Sequence, residues 1–287
     1  FKRLREVDSN EWLILRSGIQ LTQFFGIEID DYAHEASKLS LWIAEHQMNI
    51  AFEEILGEAK PTLPLSTSGN IFCENATEVD WKKICPHDNE KNTYILGNPP
   101  YSGAKKQNQN QKKDVEKVFK KFKSYKNLDY ISCWFYLASE YIQNTKNKFA
   151  FVSTKSISQG ELAGLLWPSI QKLDLEIFFA HKPFVWNNHA KGNAGVTCVI
   201  IGVQSKNNSD KFLYDGEKTN IRRCKFISPY LVDVDPSVLI LRSNTQISGL
   251  KEMLMGNILE ESKEIKNKEI VDALELPPIK IHCSVLA

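Results

Sequence analysis

The chain holds 287 residues, 42% of them apolar and 25% charged, with 36 lysines and arginines against 35 aspartates and glutamates. That length suits one large domain, or one domain and a fragment of another, and the composition excludes disorder or a collagen-like repeat as the main state. The strongly apolar stretches 131–139 and 195–204 fall well short of the roughly 20 residues that a bilayer crossing needs, which excludes a membrane span.

The sequence opens Phe1-Lys2-Arg3-Leu4-Arg5-Glu6, with neither an initiator methionine nor an apolar signal core, and reads as a piece of a longer chain that is not secreted. Residues 1–16 predict a helix, 24–29 a strand, and 33–56 a helix with Leu39, Ile43, Met48 and Ile50 on its apolar side. Pro61, Pro64 and residues 66–69 mark a loop, and 70–73 predict a second strand. A short strand at 94–97 runs into Asn98-Pro99-Pro100-Tyr101. After a basic loop, 128–144 predict a helix in which Trp134, Leu137 and Tyr141 follow three- and four-residue spacing. The alternation repeats with a strand at 149–154, a helix at 160–173, strands at 175–181 and 195–204, and a hairpin around Asp215-Gly216. Such alternation reads as α/β, a parallel sheet with crossover helices. No internal repeat is visible. The texture changes near residue 235, giving a domain over 1–235 and a segment over 236–287 too short to bury a core of its own.

The six cysteines are scattered without a C-x-x-C pair, so neither a zinc ribbon nor a redox dithiol is indicated, and they read as reduced and mostly buried. His34 and His46 share a predicted helix but stand about 18 Å apart along it. No metal site emerges. Between Lys105 and Lys126, nine lysines face only Asp114 and Glu116, a local charge of +7. Two readings stay open there: a solvated helix face, or a surface that contacts phosphates, with Lys105, Lys106, Lys112 and Lys113 at its start.

The sharpest chemistry lies in Asn98-Pro99-Pro100-Tyr101, directly after a predicted strand. Two prolines fix φ and remove backbone donors, so the turn is stiff and its carbonyls are free to accept. A planar amine is a poor nucleophile because its lone pair is delocalised. If the Asn98 side-chain oxygen and the Pro99 carbonyl each accept one of its N–H bonds, the nitrogen becomes pyramidal, with its lone pair aimed at an electrophile. Tyr101 offers a flat face on which a base stacks for roughly 1–3 kcal/mol. The position, at the carboxyl end of a strand, is where open α/β sheets bind ligands. Glu28 ends the first predicted strand, the placement that grips two ribose hydroxyls in nucleotide-containing cofactors. Asp30 suits a helix N-cap in any reading, and Asn75 follows the second strand, where a polar side chain meets an adenine ring.

Together these residues resemble the gamma-type adenine-N6 DNA methyltransferases that carry Asn-Pro-Pro-Tyr. The segments 97–103, 128–134, 151–160, 179–186 and 196–202 narrow the resemblance to the methyltransferase region of the MmeI-like (type IIL) restriction–modification proteins, over residues 1–255. The resemblance implies a Rossmann-like, class I fold using S-adenosylmethionine, with double-stranded DNA as partner. A nuclease domain before it and a target-recognition domain after it are implied in the parent chain. It further implies that Glu28 holds the cofactor ribose, Ile29 packs on the cofactor adenine and Asn75 contacts the adenine edge, with Glu74 the adjacent alternative. Asn98, Pro99, Pro100 and Tyr101 bind the target adenine, and Phe184, with Trp186 as competitor, supplies a second aromatic against the flipped base.

The chain departs from the family at the front, where no G-x-G occurs. The helix at 1–16 resembles the one that follows the glycine loop, so the first strand and that loop are expected to be missing. Residues 258–287 also leave the family pattern. Two rivals follow: a methyltransferase acting on protein glutamine or RNA bases, which use the same amine chemistry, and a non-catalytic remnant module.

Overall fold

The computed structural model of the protein describes residues 19–56, 69–87, 91–186, 196–215 and 220–237. Strand β1 (Phe25–Glu28) leads into helix α1 (Asp31–Leu56), strand β2 (Asn70–Cys73), a single helical turn α2 (Trp81–Ile84) and strand β3 (Tyr94–Gly97). Helices α3 (Gln109–Phe119) and α4 (Ser132–Ile142), strand β4 (Lys148–Thr154), helix α5 (Gly160–Gln171) and strands β5 (Leu175–Trp186), β6 (Val196–Ser205), β7 (Lys211–Asp215) and β8 (Asn220–Cys224) follow. The helix expected over 1–16 and the tail after 237 lie outside the described residues. Local chemistry sets several boundaries. Helix α3 starts with a reciprocal cap in which the Asn108 side chain accepts the Gln111 N–H at 2.9 Å and the Gln111 side chain accepts the Asn108 N–H at 3.0 Å. Asp30 accepts the Ala33 N–H at 2.8 Å and caps α1 as its position suggested.

Strands β1 and β2 pair in parallel as a two-stranded sheet, and a six-stranded sheet runs in the order β3-β4-β6-β5-β7-β8. Within it β3, β4, β5 and β7 run parallel, while β6 and β8 oppose them. The α/β, Rossmann-like class holds, but the sheet is mixed rather than parallel throughout. Nine residues separate β5 from β6, too few for a crossover helix, so the chain returns antiparallel. Among the described residues no strand pairs with the second edge of β1 or of β3, and Tyr94 and Leu96 on β3 are 64% and 77% exposed.

The core sits between the six-stranded sheet and helices α4 and α5. Phe135 of α4 meets Phe149, Phe151 and Trp167 edge-on, with ring centroids 5.8, 5.4 and 6.0 Å apart, the geometry that aromatic quadrupoles favour. The Trp167 indole N–H donates to the Ile157 carbonyl at 2.9 Å, so its burial leaves no donor unsatisfied. A Cβ at Gly202 would lie 2.2 Å from the Phe179 ring, so only glycine lets that ring cross β6. Lys211 and Glu176 form a buried ion pair at 3.1 Å, and the Lys211 ammonium also donates to the Asn207 and Ser209 carbonyls at 3.0 and 2.9 Å.

Three details differ from expectation. Leu39, Ile43, Met48 and Ile50 of α1 are 43–53% exposed, because α1 packs on a sheet of only two strands through its His34, Leu41 and Trp42 side. Helix α4 starts at Ser132 rather than 128 and buries Cys133, Phe135, Ala138, Ser139 and Ile142, leaving Trp134 and Leu137 half-buried. Strand β5 continues past Lys182-Pro183, because the register against β6 shifts between His181 and Phe184, so the missing N–H of Pro183 breaks no ladder bond. Of the described cysteines, Cys133, Cys198 and Cys224 are buried, Cys85 is half-buried and Cys73 exposed, all as free thiols. No helix among the described residues is long and apolar enough to cross a membrane.

Candidate active site

The carboxyl ends of β1, β2 and β3 carry the sequence-derived candidates. Glu28 is the last residue of β1, opposite Cys73 of β2, and its carbonyl accepts the Glu74 N–H at 2.9 Å, which draws the turn before Asn75 alongside. One oxygen of the Glu28 carboxylate accepts the N–H groups of Ile29 and Asp30 at 3.0 and 3.2 Å. That fold-back fixes the side chain over its own turn and leaves the second oxygen without a partner among the described residues. Ile29 beside it is 67% exposed, an apolar shelf next to a carboxylate. Asn75 spends its side-chain oxygen on Thr77, accepting the backbone N–H at 3.0 Å and the hydroxyl at 2.8 Å. Only its amide N–H groups are left to meet a ligand.

Asn98 and Pro100 are exposed, Pro99 is buried and Tyr101 is 40% exposed, so the loop is anchored by one proline and presents the rest. Among the described residues neither the Asn98 side-chain oxygen nor the Pro99 carbonyl accepts a hydrogen bond, which leaves free the two acceptors that an amine needs. Just beyond, both backbone groups of Ser102 are tied down. Its N–H donates to the Asp129 carboxylate at 2.9 Å, and its carbonyl accepts from the Gln107 amide and the Tyr130 N–H, each at 3.0 Å.

The basic segment continues from this loop. Lys105 and Lys106 lie in a turn closed by the Lys106 N–H to the Gly103 carbonyl at 2.7 Å, while Lys112 and Lys113 stand on the first turns of α3. Val115 and Phe119 of α3 face the core, and all nine lysines from Lys105 to Lys126 are exposed, with no ion pair to any of them among the described residues. Phe184 sits near the carboxyl end of β5, half-buried and edge-on to His181 at 5.1 Å. Because β5 runs parallel to β3, Phe184 shares the sheet edge of Asn98, three strand spacings or roughly 14 Å away. The backbone of Trp186 pairs with Val196, but its side chain lies outside the described residues.

Two features elsewhere were not legible from spacing. Asp31, His34 and Cys73 bring ligand-type atoms within 4.8 Å of one another. The His34 Nε2 lies 3.1 Å from the Ile71 carbonyl, while its Nδ1, 3.1 Å from the Glu35 carboxylate, makes no hydrogen bond among the described residues. Burial, then the carboxylates of Asp31, Glu74, Asp30 and Glu28, push the Cys73 thiol up from its ordinary value. A cavity of about 400 Å³, lined by His87, Lys91, residues 144–147, Leu173, Asp174 and Ser205, opens at the amino ends of β3 and β4, the opposite edge of the sheet.

The MmeI DNA-methyltransferase domain family matches residues 1–215. The chain belongs to this family. It is 44% identical over 259 residues to DNA methyltransferase A of Bacillus subtilis (strain 168), covering 90% of this chain and 29% of that protein. The solved structure of the type IIL restriction–modification enzyme MmeI in complex with DNA superposes with a TM-score of 0.71 at 39% identity, covering 80% of this chain and 31% of that one. The chain thus spans about three-tenths of the length of these relatives. A separate likeness of 40 residues, 14% of the chain, is 53% identical to the iron–sulfur cluster assembly scaffold protein IscU of Haemophilus influenzae and covers 32% of it.

In this MmeI-type methyltransferase domain the structure brings Glu28, Ile29 and Asn75 together at the ends of β1 and β2. It sets the Asn98–Tyr101 turn beside the lysine surface. Sequence reasoning missed Gln107 and Asp129, the buried side chains that hold the segment after Tyr101, and no local signal in the sequence marks them.

Proposed function

We propose that the chain is the methyltransferase part of a restriction–modification protein that methylates the exocyclic amine of an adenine rotated out of double-stranded DNA, with S-adenosylmethionine as donor. The observation that carries this reading is the Asn98-Pro99 pair of unpartnered acceptors on a stiff loop at a strand's carboxyl end, next to an unpaired lysine surface. S-adenosylmethionine supplies a methyl carbon made electrophilic by its sulfonium. Glu28 fits its ribose, since one carboxylate oxygen is fixed by the turn and the other is available, and the exposed Ile29 fits an adenine face. Asn75 meets the adenine edge through its amide N–H groups. Asn98 and Pro99 accept the two N–H bonds of the target amine and orient its lone pair. Tyr101, with Phe184 across the sheet edge or its competitor Trp186, stacks on the base and offsets the few kcal/mol that flipping costs. Such catalysis is positioning more than acid–base chemistry. Lys105, Lys106, Lys112 and Lys113 hold phosphates. In the parent chain, residues 1–235 form the larger part of the catalytic domain, 236–287 lead toward target recognition, and a nuclease domain precedes.

The test uses the parent chain with labelled S-adenosylmethionine and mixed-sequence duplex DNA, digested to nucleosides. Label is expected in N6-methyladenine and should fall at least about 100-fold in Asn98→Ala. Label absent from DNA despite cofactor binding would transfer the reading to a protein or RNA amine.

A further inference from the structure

Prolines 99 and 100 fix their own φ angles but leave the backbone of Tyr101 and Ser102 free, so something else must decide where the loop points. Ser102 carries that constraint. A single oxygen of Asp129 accepts the Ser102 N–H at 2.9 Å and the Ile131 N–H at 3.2 Å, while the Asp129 carbonyl accepts the Ser132 N–H at 3.0 Å at the start of α4. Gln107 closes the other side, its amide nitrogen donating to the Ser102 carbonyl at 3.0 Å and the Leu128 carbonyl at 2.9 Å. Asp129 and Gln107 are both buried, so water competes little, and hydrogen bonds to a buried carboxylate are the strong kind. The turn they hold on to is itself fixed. Leu128 and Ile131 are buried in the core, and the Tyr130 hydroxyl donates to the buried Asp114 carboxylate at 2.6 Å. Neither Asp129 nor Gln107 belongs to the segment that presents the acceptors.

We propose that Asp129, with Gln107 as its second strap, is the positioning residue of the 98–101 loop, holding the Asn98 and Pro99 oxygens at the separation that captures an amine. The proposal rests on the methyl-transfer reading above for its kinetic consequence, but not for its structural one. A displacement near 1 Å at a reacting centre costs on the order of 100-fold in rate.

The experiment compares Asp129→Ala, Asp129→Asn and Gln107→Ala in the parent chain by amide hydrogen exchange, cofactor affinity and single-turnover methylation of duplex DNA. In Asp129→Ala, exchange of the 98–103 peptide should rise at least about 10-fold while β4 and α5 stay at the wild-type rate. The single-turnover rate should fall about 10- to 100-fold with cofactor affinity held within about twofold. Asp129→Asn keeps an oxygen acceptor in place and should recover the rate to within about fivefold. Gln107→Ala, which spares the carboxylate, should give a smaller loss of the same pattern. Unchanged loop exchange and rate in a folded Asp129→Ala overturn the proposal. So does exchange that rises throughout β4 and α5, or an asparagine variant as slow as the alanine one. If the exchange pattern holds but wild-type protein puts no methyl on DNA, the strap stands and the methyl-transfer reading falls.

Discussion

The lysine surface yields a prediction whose size follows from geometry. Helix α3 has 11 residues, so it is about 16 Å long. DNA places one phosphate per 3.4 Å of axis on each strand, so α3 lying along a strand spans roughly five phosphates. Only Lys112, Lys113 and Lys117 of the nine lysines stand on α3, and the four proposed to hold phosphates, Lys105, Lys106, Lys112 and Lys113, are the nearest in sequence to the Asn98–Tyr101 loop. Each phosphate released removes about 0.9 from the slope of log affinity against log salt. Replacing Lys105, Lys106, Lys112 and Lys113 with glutamine should therefore flatten that slope by up to about 3.6. All four are exposed and without ion pairs among the described residues, so the substitutions should change stability by no more than about 0.5 kcal/mol. The assay is fluorescence anisotropy of the parent chain on two duplexes of unrelated sequence, from 50 to 200 mM salt. The variant should bind both more weakly at low salt, with the curves converging at high salt. Parallel log–log lines, or a loss confined to one duplex, would refute the phosphate reading and return the segment to a solvated helix face.

Two further predictions concern stability. Lys211→Ala removes the cation beside the Glu176 carboxylate, which keeps the Asn207 N–H at 3.0 Å, and should cost up to about 3–5 kcal/mol in urea unfolding, whereas a Lys211→Met, Glu176→Leu double variant should recover most of it; equal losses in both would mean the pair is not buried as a unit. His87 accepts from the Asn147 amide at 3.1 Å on Nδ1, and burial, then Lys82, lower its pKa. The unfolded chain therefore takes up a proton near pH 6.5 before the folded one does, so stability should fall as pH drops below that value toward the folded pKa. In His87→Gln this part of the decline should vanish, and identical unfolding midpoints against pH in both proteins would refute it.

Most elements could be read from local pattern because strand β4 and helix α5 each carry a full period of buried residues. What failed was what depends on partners. The apolar run Leu39, Ile43, Met48 and Ile50 has helical spacing, but spacing does not say whether anything covers it, and here the two-stranded sheet does not. The direction of β6 followed from the length of its connection rather than from its composition. The strand expected over 175–181 runs on to 186 through a bulge at 181–184, which one sequence does not show. The Asn98–Tyr101 turn and Glu28 were legible because a rigid dipeptide and a strand-terminal acid act locally. Asp129 was not, because its partner Ser102 lies 27 residues away. The buried imidazole of His34 comes near Cys73 for the same reason, because α1 packs on β2 rather than through sequence proximity.

The two sides of the site are held by different means. The loop proposed to accept the amine hangs on the six-stranded sheet, fixed by Asp129, Gln107 and an aromatic core that does not involve β1 or β2. Glu28, Ile29 and Asn75 sit on a two-stranded sheet, and such a unit is marginal until further strands or helices cover it. If that unit orders only on binding, its ordering draws on the binding free energy, so pairing along the open edges of β1 and β3 would raise affinity for the proposed cofactor. The geometry of the amine acceptors does not depend on that pairing. Damage at the edges should weaken cofactor binding with the loop intact, and damage at Asp129 should slow transfer with cofactor binding intact, so the two losses are separable in one protein.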